Sequence, residues 1–325
     1  MILDAIDNLG LEPSDLRSAR RFNSVLAAMP RFHTSRRWNA RLINTMLKLH
    51  RTLPPLRRWS SRVSSMPIPG SSASIRLMHP GNRPSAMLLH FHGGAWVMGS
   101  ARLEDRLAAR IASDCGLLVA AVEFPNAIDD GLDLTLKECL ATAHWVIDNL
   151  RTFGVDQLIL SGESSGAHLA LESLLSLRST GQHSLVRGFY SVCGAFDLEG
   201  SQSLHGRTGH TLLIDAPSAL KNLRRLTPSL PPSLSRGPLH AELHNLPPAL
   251  FIAGSLDPIV NDSFAIHANW SSLNGNASLA VVPQGPHGFN RMPTRLASKT
   301  NAFGRRWLSA QLKANSVERS SSDIL

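Results

Sequence analysis

One serine of this 325-residue chain has neighbours that could make it a nucleophile. Ser164 is the centre of Gly162-Glu163-Ser164-Ser165-Gly166, which follows a run typical of a strand (DQLIL) and precedes a segment typical of a helix (AHLALESLL). A serine in such a turn is exposed at the carboxyl end of the strand, beside the positive pole of the next helix. Glycines two residues before and after it let the neighbouring backbones approach without a Cβ clash. The motif therefore predicts nucleophilic catalysis by Ser164.

A serine hydroxyl needs a base whose pKa lies near neutral pH, which favours histidine. Of the 14 histidines, His287 stands out because it lies in the glycine-flanked segment QGPHGF, shortly after the apolar run SLAVV. The orienting carboxylate is expected between serine and histidine in chain order. Asp257, in the turn SLDP after ALFIAG, lies 93 residues after Ser164 and 30 residues before His287. Its alternative role is to cap a helix that begins near Asn261, but Asp262 fits that role better.

A second glycine-containing segment begins 72 residues before Ser164. His92-Gly93-Gly94-Ala95-Trp96 directly follows the run AMLLHF. Two consecutive glycines free a backbone segment whose N–H groups can point into a cavity, as binding of the negative oxygen of a tetrahedral intermediate requires. Taken alone, the segment could equally be a glycine-rich turn. Together with the serine motif it predicts an acyl-transfer site.

These segments resemble the hormone-sensitive-lipase-like branch of the α/β-hydrolases, whose members carry an HGGG-type loop about 70 residues before a GDSAG-type turn. The resemblance covers about residues 75–290 and includes GESSGAHLA, GPLHAELHNLPPALFIAGSLDPIVNDS and PHGF. It implies a serine ester hydrolase whose base lies at His287. It also implies that the amides of Gly93, Gly94 and Ser165 form the oxyanion hole, while His92 organises the loop and does not react.

Three departures from the motifs of this branch stand out. Ala95 replaces a third glycine, which leaves the two donor glycines intact. Glu163 and Ser165 replace the usual Asp and Ala, both mild changes. The segment VEFPNAID stands where many members have V-D-Y-R-L-A-P-E. Loss of that Tyr, Arg and Glu predicts a different internal polar network.

The elements that must position these residues alternate between short apolar runs and longer helical stretches, which is typical of a mostly parallel sheet with crossover helices. The expected fold class is α/β, an α/β-hydrolase fold with a central sheet flanked by helices and a helical cap. Strands are predicted over residues 75–78, 86–91, 117–122, 157–161, 188–192, 249–253 and 278–282. Helices are predicted over residues 103–112, 134–150, 166–177, 262–273 and 302–312.

We expect residues 66–315 to form the catalytic domain and residues 1–65 to form an N-terminal helical cap segment. The irregular stretch 201–238 is expected to leave the sheet and contribute to the cap, and the Ser-rich tail 316–325 is expected to be frayed. Trp96, Trp38 and Phe289 are candidates for lining the substrate pocket, although each is more often ordinary core.

Composition excludes several other classes. The net charge of +9 is concentrated between Arg17 and Arg62, and no nucleic-acid motif accompanies it. Cys115, Cys139 and Cys193 are odd in number and widely spaced, which predicts free thiols. No apolar run reaches the length of a membrane span, and the start MILDAIDNLG lacks a signal peptide's positive charge. We therefore expect a cytoplasmic protein with no stable membrane insertion and no metal or organic cofactor.

The expected substrate is a small-molecule ester with a short to medium acyl group, such as acetyl. An amidase or aryl-formamidase with the same triad is the nearest alternative. A non-catalytic small-molecule-binding protein is a more distant one, because the plant gibberellin receptors resemble this branch but lack the catalytic histidine, which is present here as His287. A nucleic-acid-binding protein would be supported by net charge alone. The basic N-terminal segment could favour an anionic substrate or interface, and a homodimer is left open.

Overall fold

A computed structural model describes residues 1–29, 33, 35–52, 62–129, 131–206 and 211–322 of the chain. Of residues 47, 48, 50–52 and 313–322, which lie in helices, it describes the backbone and not the side chains. Within these ranges, nine strands form one sheet in the order β1-β9-β8-β7-β6-β4-β5-β3-β2. The strands are β1 (Ile2–Leu3), β2 (Val63–Pro67), β3 (Ser74–Met78), β4 (Ala86–Phe91), β5 (Leu117–Glu123), β6 (Leu158–Glu163), β7 (Val186–Val192), β8 (Ala249–Gly254) and β9 (Ala277–Val282).

The sheet is mostly parallel and is covered by helices on both faces. Only the pairs β2–β3 and β3–β5 are antiparallel among the described strands. The helices are α1 (Ala5–Leu9), α2 (Pro13–Ala27), α3 (Arg37–Thr52), α4 (Asp105–Cys115), α5 (Leu132–Asp148), α6 (Ser165–Ser179), α7 (Gln202–His205), α8 (Ala216–Leu226), α9 (Val260–Asn274) and α10 (Arg295–Ser322). None of the described helices is long and apolar enough to cross a membrane.

Two hydrophobic cores lie on opposite faces of the sheet, as the period of a strand requires. In β4, Met87, Leu89 and Phe91 pack in one core, together with residues of α5, α6 and α9. Ala86 and Leu88 of the same strand pack in the other core, with residues of α1, α2, α4 and α10. Because both faces are covered, the central strands read as continuous apolar runs and not as alternating ones.

All seven predicted strands and all five predicted helices are confirmed, with shifted ends. The largest shift is at α10, which was predicted over 302–312 and spans Arg295–Ser322. The edge strands β1 and β2 are additions to the prediction. β1 has two residues, and β2 (VSSMP) is mostly exposed, so neither carries the apolar run by which a strand is recognised.

Residues 1–65, predicted as one helical cap segment, contain β1 and the helices α1, α2 and α3, which pack at different places. β1 extends the sheet beside β9, and α1 and α2 pack against β9 and α10. By contrast, α3 reaches the carboxyl ends of the strands. The basic pair Arg57 and Arg58 lies outside the described residues, as do residues 323–325 of the predicted frayed tail, which is helical up to Ser322.

All three cysteines lie in described parts of the chain and are free thiols, as predicted. Cys139 and Cys193 are buried, and Cys115 is half-buried. Burial raises the pKa of all three thiols, most strongly for Cys139 and Cys193. A buried protonated thiol behaves as a small apolar side chain.

An aromatic cluster on one face fixes the part of the sheet formed by β7 and β8. The Trp270 ring of α9 is fully buried, stacks on Phe189 at 5.4 Å and meets the edge of Phe251 at 5.6 Å. Its indole N–H donates to Pro247 O and Asn276 Oδ1, each at 3.1 Å. The ring is therefore satisfied in both its apolar and its polar parts.

Replacing Trp270 with Ala should lower the free energy of unfolding by about 3–5 kcal/mol, because a large buried ring leaves a cavity. Urea denaturation followed by circular dichroism measures the change. Leu273→Ala, at a position of the same helix that is 56% exposed, is the matched control and should change stability by less than about 0.5 kcal/mol. Equal effects of the two substitutions would contradict this account of the core.

Candidate active site

The turn between β6 and α6 holds Ser164 in a strained conformation. Its φ of 52° and ψ of −124° lie in a region that non-glycine residues rarely adopt. Two glycines make the turn possible by close packing. A Cβ at Gly162 would lie 2.3 Å from Gly166 O, and a Cβ at Gly166 would lie 2.1 Å from Phe91 O. The Ser164 amide donates to Val192 O at 3.0 Å, which ties the turn to the next strand.

The structure brings the three predicted triad residues together at the carboxyl ends of the strands. His287 Nε2 lies 2.8 Å from Ser164 Oγ, and His287 Nδ1 lies 2.8 Å from Asp257 Oδ2. Both contacts are satisfied when the serine hydroxyl donates to Nε2 and Nδ1–H donates to the carboxylate. Asp257 is fully buried, and its second oxygen accepts the Ile259 amide at 3.0 Å. One carboxylate therefore fixes its own turn and orients the imidazole.

The imidazole of His287 lies among several acidic groups. Burial alone would lower its pKa, but the charge of Asp257 and the hydrogen bond to it raise the pKa above the ordinary imidazole value overall. Glu163 and Asp262 act in the same direction. The Asp257 carboxylate thus stabilises the imidazolium that would form when His287 accepts the serine proton.

Gly93 and Gly94 line the same cavity as Ser164, where the predicted oxyanion loop is expected. A Cβ at Gly93 would lie 3.3 Å from Ser164 Cβ, so this backbone passes directly beside the serine. Gly94 has a φ of +133°, and a Cβ there would lie 1.8 Å from Met98 O. Ser165 is the first residue of α6, where the backbone N–H groups have no acceptor within the helix. The backbone of Gly93 and the start of α6 therefore lie beside the serine, and Gly94 lines the same cavity.

His92 and Trp96 hold this loop from below. The His92 ring stacks on Phe124 at 4.1 Å and donates through Nδ1 to Gly93 O at 2.9 Å, and burial lowers its pKa. The Trp96 indole donates to Nδ1 of His168 in α6 at 3.2 Å. Burial lowers the pKa of His168 to about 3, so its ring is a neutral acceptor. These contacts support the predicted organising part played by His92 and add His168 to it.

A cavity of about 390 Å³ opens onto Ser164 and His287. Most of the side chains around it are apolar. They come from α3, from α8 and the segment before it, from the segment before α4 and from the end of β7: Ile43, Ala219, Leu213, Ile214, Leu103 and Val192. One end is polar and contains Glu104, Glu163, Asn290 and Arg291. The site therefore combines a largely apolar volume with one charged wall.

None of the three predicted pocket residues lines this cavity. Trp38 is 60% exposed on the outer side of α3, and Phe289 is 1% exposed within the core. Trp96 lines a smaller cavity beside Ser164, whose other walls include Ile214 and Ala219. The aromatic type of these residues carried the prediction, and residue type alone does not specify which way a side chain faces.

The predicted helix-capping role of Asp262 is also wrong. α9 begins at Val260, two residues earlier, so Asp262 lies inside its first turn. Its carboxylate instead accepts the amides of Phe196 and Asp197 at 2.7 and 2.9 Å. Burial raises the pKa of this carboxyl to about 6. Asp262 therefore braces the loop after β7, while Asp257 makes the contact with His287.

The charged wall is a network of buried carboxylates and one partly exposed arginine, which the sequence motifs did not reveal. Glu163 accepts hydrogen bonds from Asn290 Nδ2 and Arg291 Nε, and Arg291 Nη2 also donates to Glu104. His90 Nε2 lies 3.3 Å from Glu104 Oε2. Burial by itself would raise the pKa of Glu104, but Arg291 and His90 bring it well below its usual range. The Glu104 carboxylate and the Arg291 guanidinium are therefore charged together.

Two of the side-chain groups spaced closely enough to ligate a metal lie at this site. His90, Glu104 and Glu163 form one, but the Arg291 guanidinium is bonded to both carboxylates of that group. Cys193, with Asp257 and His287, forms the other, where the imidazole and the carboxylate are bonded to each other. Each group is thus satisfied by internal partners.

Comparison with known proteins places this arrangement in context. Residues 88–291 match the profile of a family described as having the alpha/beta hydrolase fold. An arylesterase of Saccharolobus solfataricus is 29% identical over 57% of this chain and 62% of its own length. An ethyl acetate hydrolase of Pseudomonas putida is 26% identical over 69% of this chain and 73% of its own length. The match thus spans less than two thirds of the arylesterase.

One solved structure, an esterase from the bacterial hormone-sensitive lipase family, superposes with a TM-score of 0.73 at 21% identity. The superposition covers 93% of this chain and 99% of that protein. The predicted resemblance and the predicted fold class are confirmed.

Asp257→Asn should lower the pKa of His287 by about one unit or more, because an opposite charge within hydrogen-bond distance favours the charged imidazole. Titration of the histidine ring protons by NMR, with His287 assigned from His287→Gln, measures the pKa. Asp133→Asn, on the exposed start of α5, is the control and should leave it unchanged. An unaltered pKa in Asp257→Asn would refute the electrostatic account of the pair.

Proposed function

Because the chain belongs to the α/β-hydrolase fold family, we propose that it is a serine carboxylesterase for short to medium acyl esters. The observation that carries the proposal is the continuous contact from Asp257 through His287 to Ser164, at 2.8 Å on each side of the imidazole. A serine with a strained backbone, a neutral base in contact and a buried carboxylate behind that base form the constellation that acyl transfer requires. The names of the relatives, an arylesterase and an ethyl acetate hydrolase, support the same reaction class.

The proposed reaction has two steps. Ser164 Oγ attacks the ester carbonyl as His287 Nε2 takes its proton, and the carbonyl oxygen becomes negative. The amides of Gly93, Gly94 and Ser165 stabilise that oxygen. When the tetrahedral intermediate collapses, the C–O bond to the alcohol breaks and His287 gives its proton to the departing oxygen. A water molecule activated by His287 then hydrolyses the acyl-enzyme and restores Ser164. Every proton moves between these residues, the substrate and the attacking water, so the proposed reaction needs no metal or organic cofactor.

The cavity supports a small, largely apolar substrate. Its volume of about 390 Å³ suits an ester of modest size, and its apolar side chains favour an acyl or alcohol group without charge. Ile43 of α3 and Ala219 of α8 come from segments outside the sheet and line the same cavity. These segments are the part of the predicted cap that we propose to select the substrate. The names of the relatives, which refer to esters, favour ester hydrolysis over amide hydrolysis.

Ser164→Ala should lower kcat by about a million-fold, because the nucleophile and its base act as one unit. It should also abolish labelling by a fluorophosphonate probe. Hydrolysis of p-nitrophenyl acetate and gel detection of the probe measure the two effects. Ser272→Ala, an exposed serine of α9, is the control and should retain both. Full turnover by the Ser164 variant would remove the mechanism.

A series of p-nitrophenyl esters tests the substrate class. We expect kcat/KM to be highest for acyl chains from acetyl to about hexanoyl and to fall for longer chains, which a cavity of this size cannot enclose. The matched p-nitroanilides should be turned over much more slowly. A maximum at palmitoyl, or preference for the anilides, would contradict the assignment.

A further inference from the structure

We propose that Glu163 and Arg291 are positioning residues that hold the loop of His287 against the turn of Ser164. This inference rests on the proposed triad and concerns residues that make no contact with the reacting atoms. Three segments that are distant in sequence must keep a spacing of a few ångström at this site while the substrate enters and leaves.

Glu163 is the direct neighbour of Ser164, and its carboxylate accepts from two side chains of the base loop. Asn290 and Arg291 follow His287 by three and four residues, and each donates to a different oxygen of Glu163. A single carboxylate thus joins the nucleophile turn to the loop that carries the base. Glu163 is 8% exposed and Asn290 is 3% exposed, so the contact between these two side chains is shielded from competing water, while the Arg291 side chain is partly exposed.

Arg291 extends the same network to the oxyanion segment. Its guanidinium donates through Nη2 to Glu104 as well as through Nε to Glu163. Glu104 in turn lies beside His90 of β4, which is two residues before His92 in the chain. Nδ1 of His90 is 2.8 Å from Ser161 Oγ. The planar guanidinium presents its N–H donors to the two carboxylates in a fixed fork, a geometry that a lysine ammonium does not reproduce. All three catalytic segments are therefore connected through one cation.

The network also acts on His287 electrostatically. The groups that face the imidazole are Asp257 after β8, Asp262 of α9, Glu163 at the end of β6 and the protonated Cys193 thiol after β7. Glu163 raises the pKa of His287, and removing its charge must therefore lower that pKa. Since His287 has to be neutral to act as a base, the acid limb of the activity profile should move to lower pH. A residue with a merely structural role would leave this limb in place.

Two substitutions test the proposal in the full-length chain. Glu163→Gln keeps the side-chain shape and removes the charge, and Arg291→Lys keeps the charge and removes the double contact. We expect each to lower kcat for p-nitrophenyl acetate by about 10- to 100-fold with little change in KM, because misplacing a catalytic group affects the chemical step. Glu163→Gln should additionally move the acid limb of kcat/KM down by about half a unit or more, while Arg291→Lys should move it less.

The matched controls are Glu199→Gln and Arg236→Lys, the same substitutions in an exposed ion pair of 3.0 Å elsewhere on the chain. Both should behave as the unaltered protein does. If Glu163→Gln fails to fold, as thermal unfolding would reveal, Arg291→Lys decides the question by its kcat. Wild-type kcat in Arg291→Lys, or a folded Glu163→Gln with an unmoved acid limb, would overturn the proposal. Failure of the triad itself would show separately, as activity retained by Ser164→Ala.

Discussion

The site depends on how closely the nucleophile turn approaches the end of β4. A Cβ at Gly166 would clash with Phe91 O, and a Cβ at Gly93 would be tight against Ser164. This contact lets Ser164 keep a φ of 52°, a conformation that costs free energy and persists only where the surroundings impose it. The surroundings here are parallel strands that are buried on both faces. The strain therefore places the Ser164 hydroxyl against the His287 imidazole, beside the backbone of Gly93.

The charged groups around Ser164 keep the pKa of His287 high although the imidazole is buried. Asp257, Glu163 and Asp262 all favour the protonated imidazole, whereas burial opposes it. Arg291 offsets the carboxylates on one side only, because it is bonded to Glu163 and Glu104 and makes no contact with Asp257. His287 therefore lies among negatively charged carboxylates, and the positive charge of Arg291 offsets only those of Glu163 and Glu104. In the proposed mechanism, this environment favours the imidazolium at the stage when the carbonyl oxygen carries negative charge.

The sequence predicted those parts of the site whose chemistry is tied to a local pattern. Ser164, Asp257 and His287 each follow an apolar strand within a short turn motif, and parallel strands bring such turns to one edge of the sheet. Arg291 and Glu104 could not be found in this way, because their contact joins residues 187 positions apart and neither lies in a recognisable motif. Trp38 failed for the opposite reason, since amphipathic spacing reveals that a helix has two faces but not which one meets the cavity.

The segment VEFPNAID lacks the Tyr, Arg and final Glu of the V-D-Y-R-L-A-P-E motif. Other contacts of this segment take their place. Phe124 of this segment stacks on His92, and Glu123 accepts from Ser100 Oγ and the Ala101 amide at 3.0 and 2.9 Å. The segment thus supports the oxyanion loop by packing and by local hydrogen bonds. The cation of this network comes instead from Arg291, which belongs to the base loop. Because that cation and the base share one loop, the electrostatic balance of the site and the position of its base are coupled in this chain.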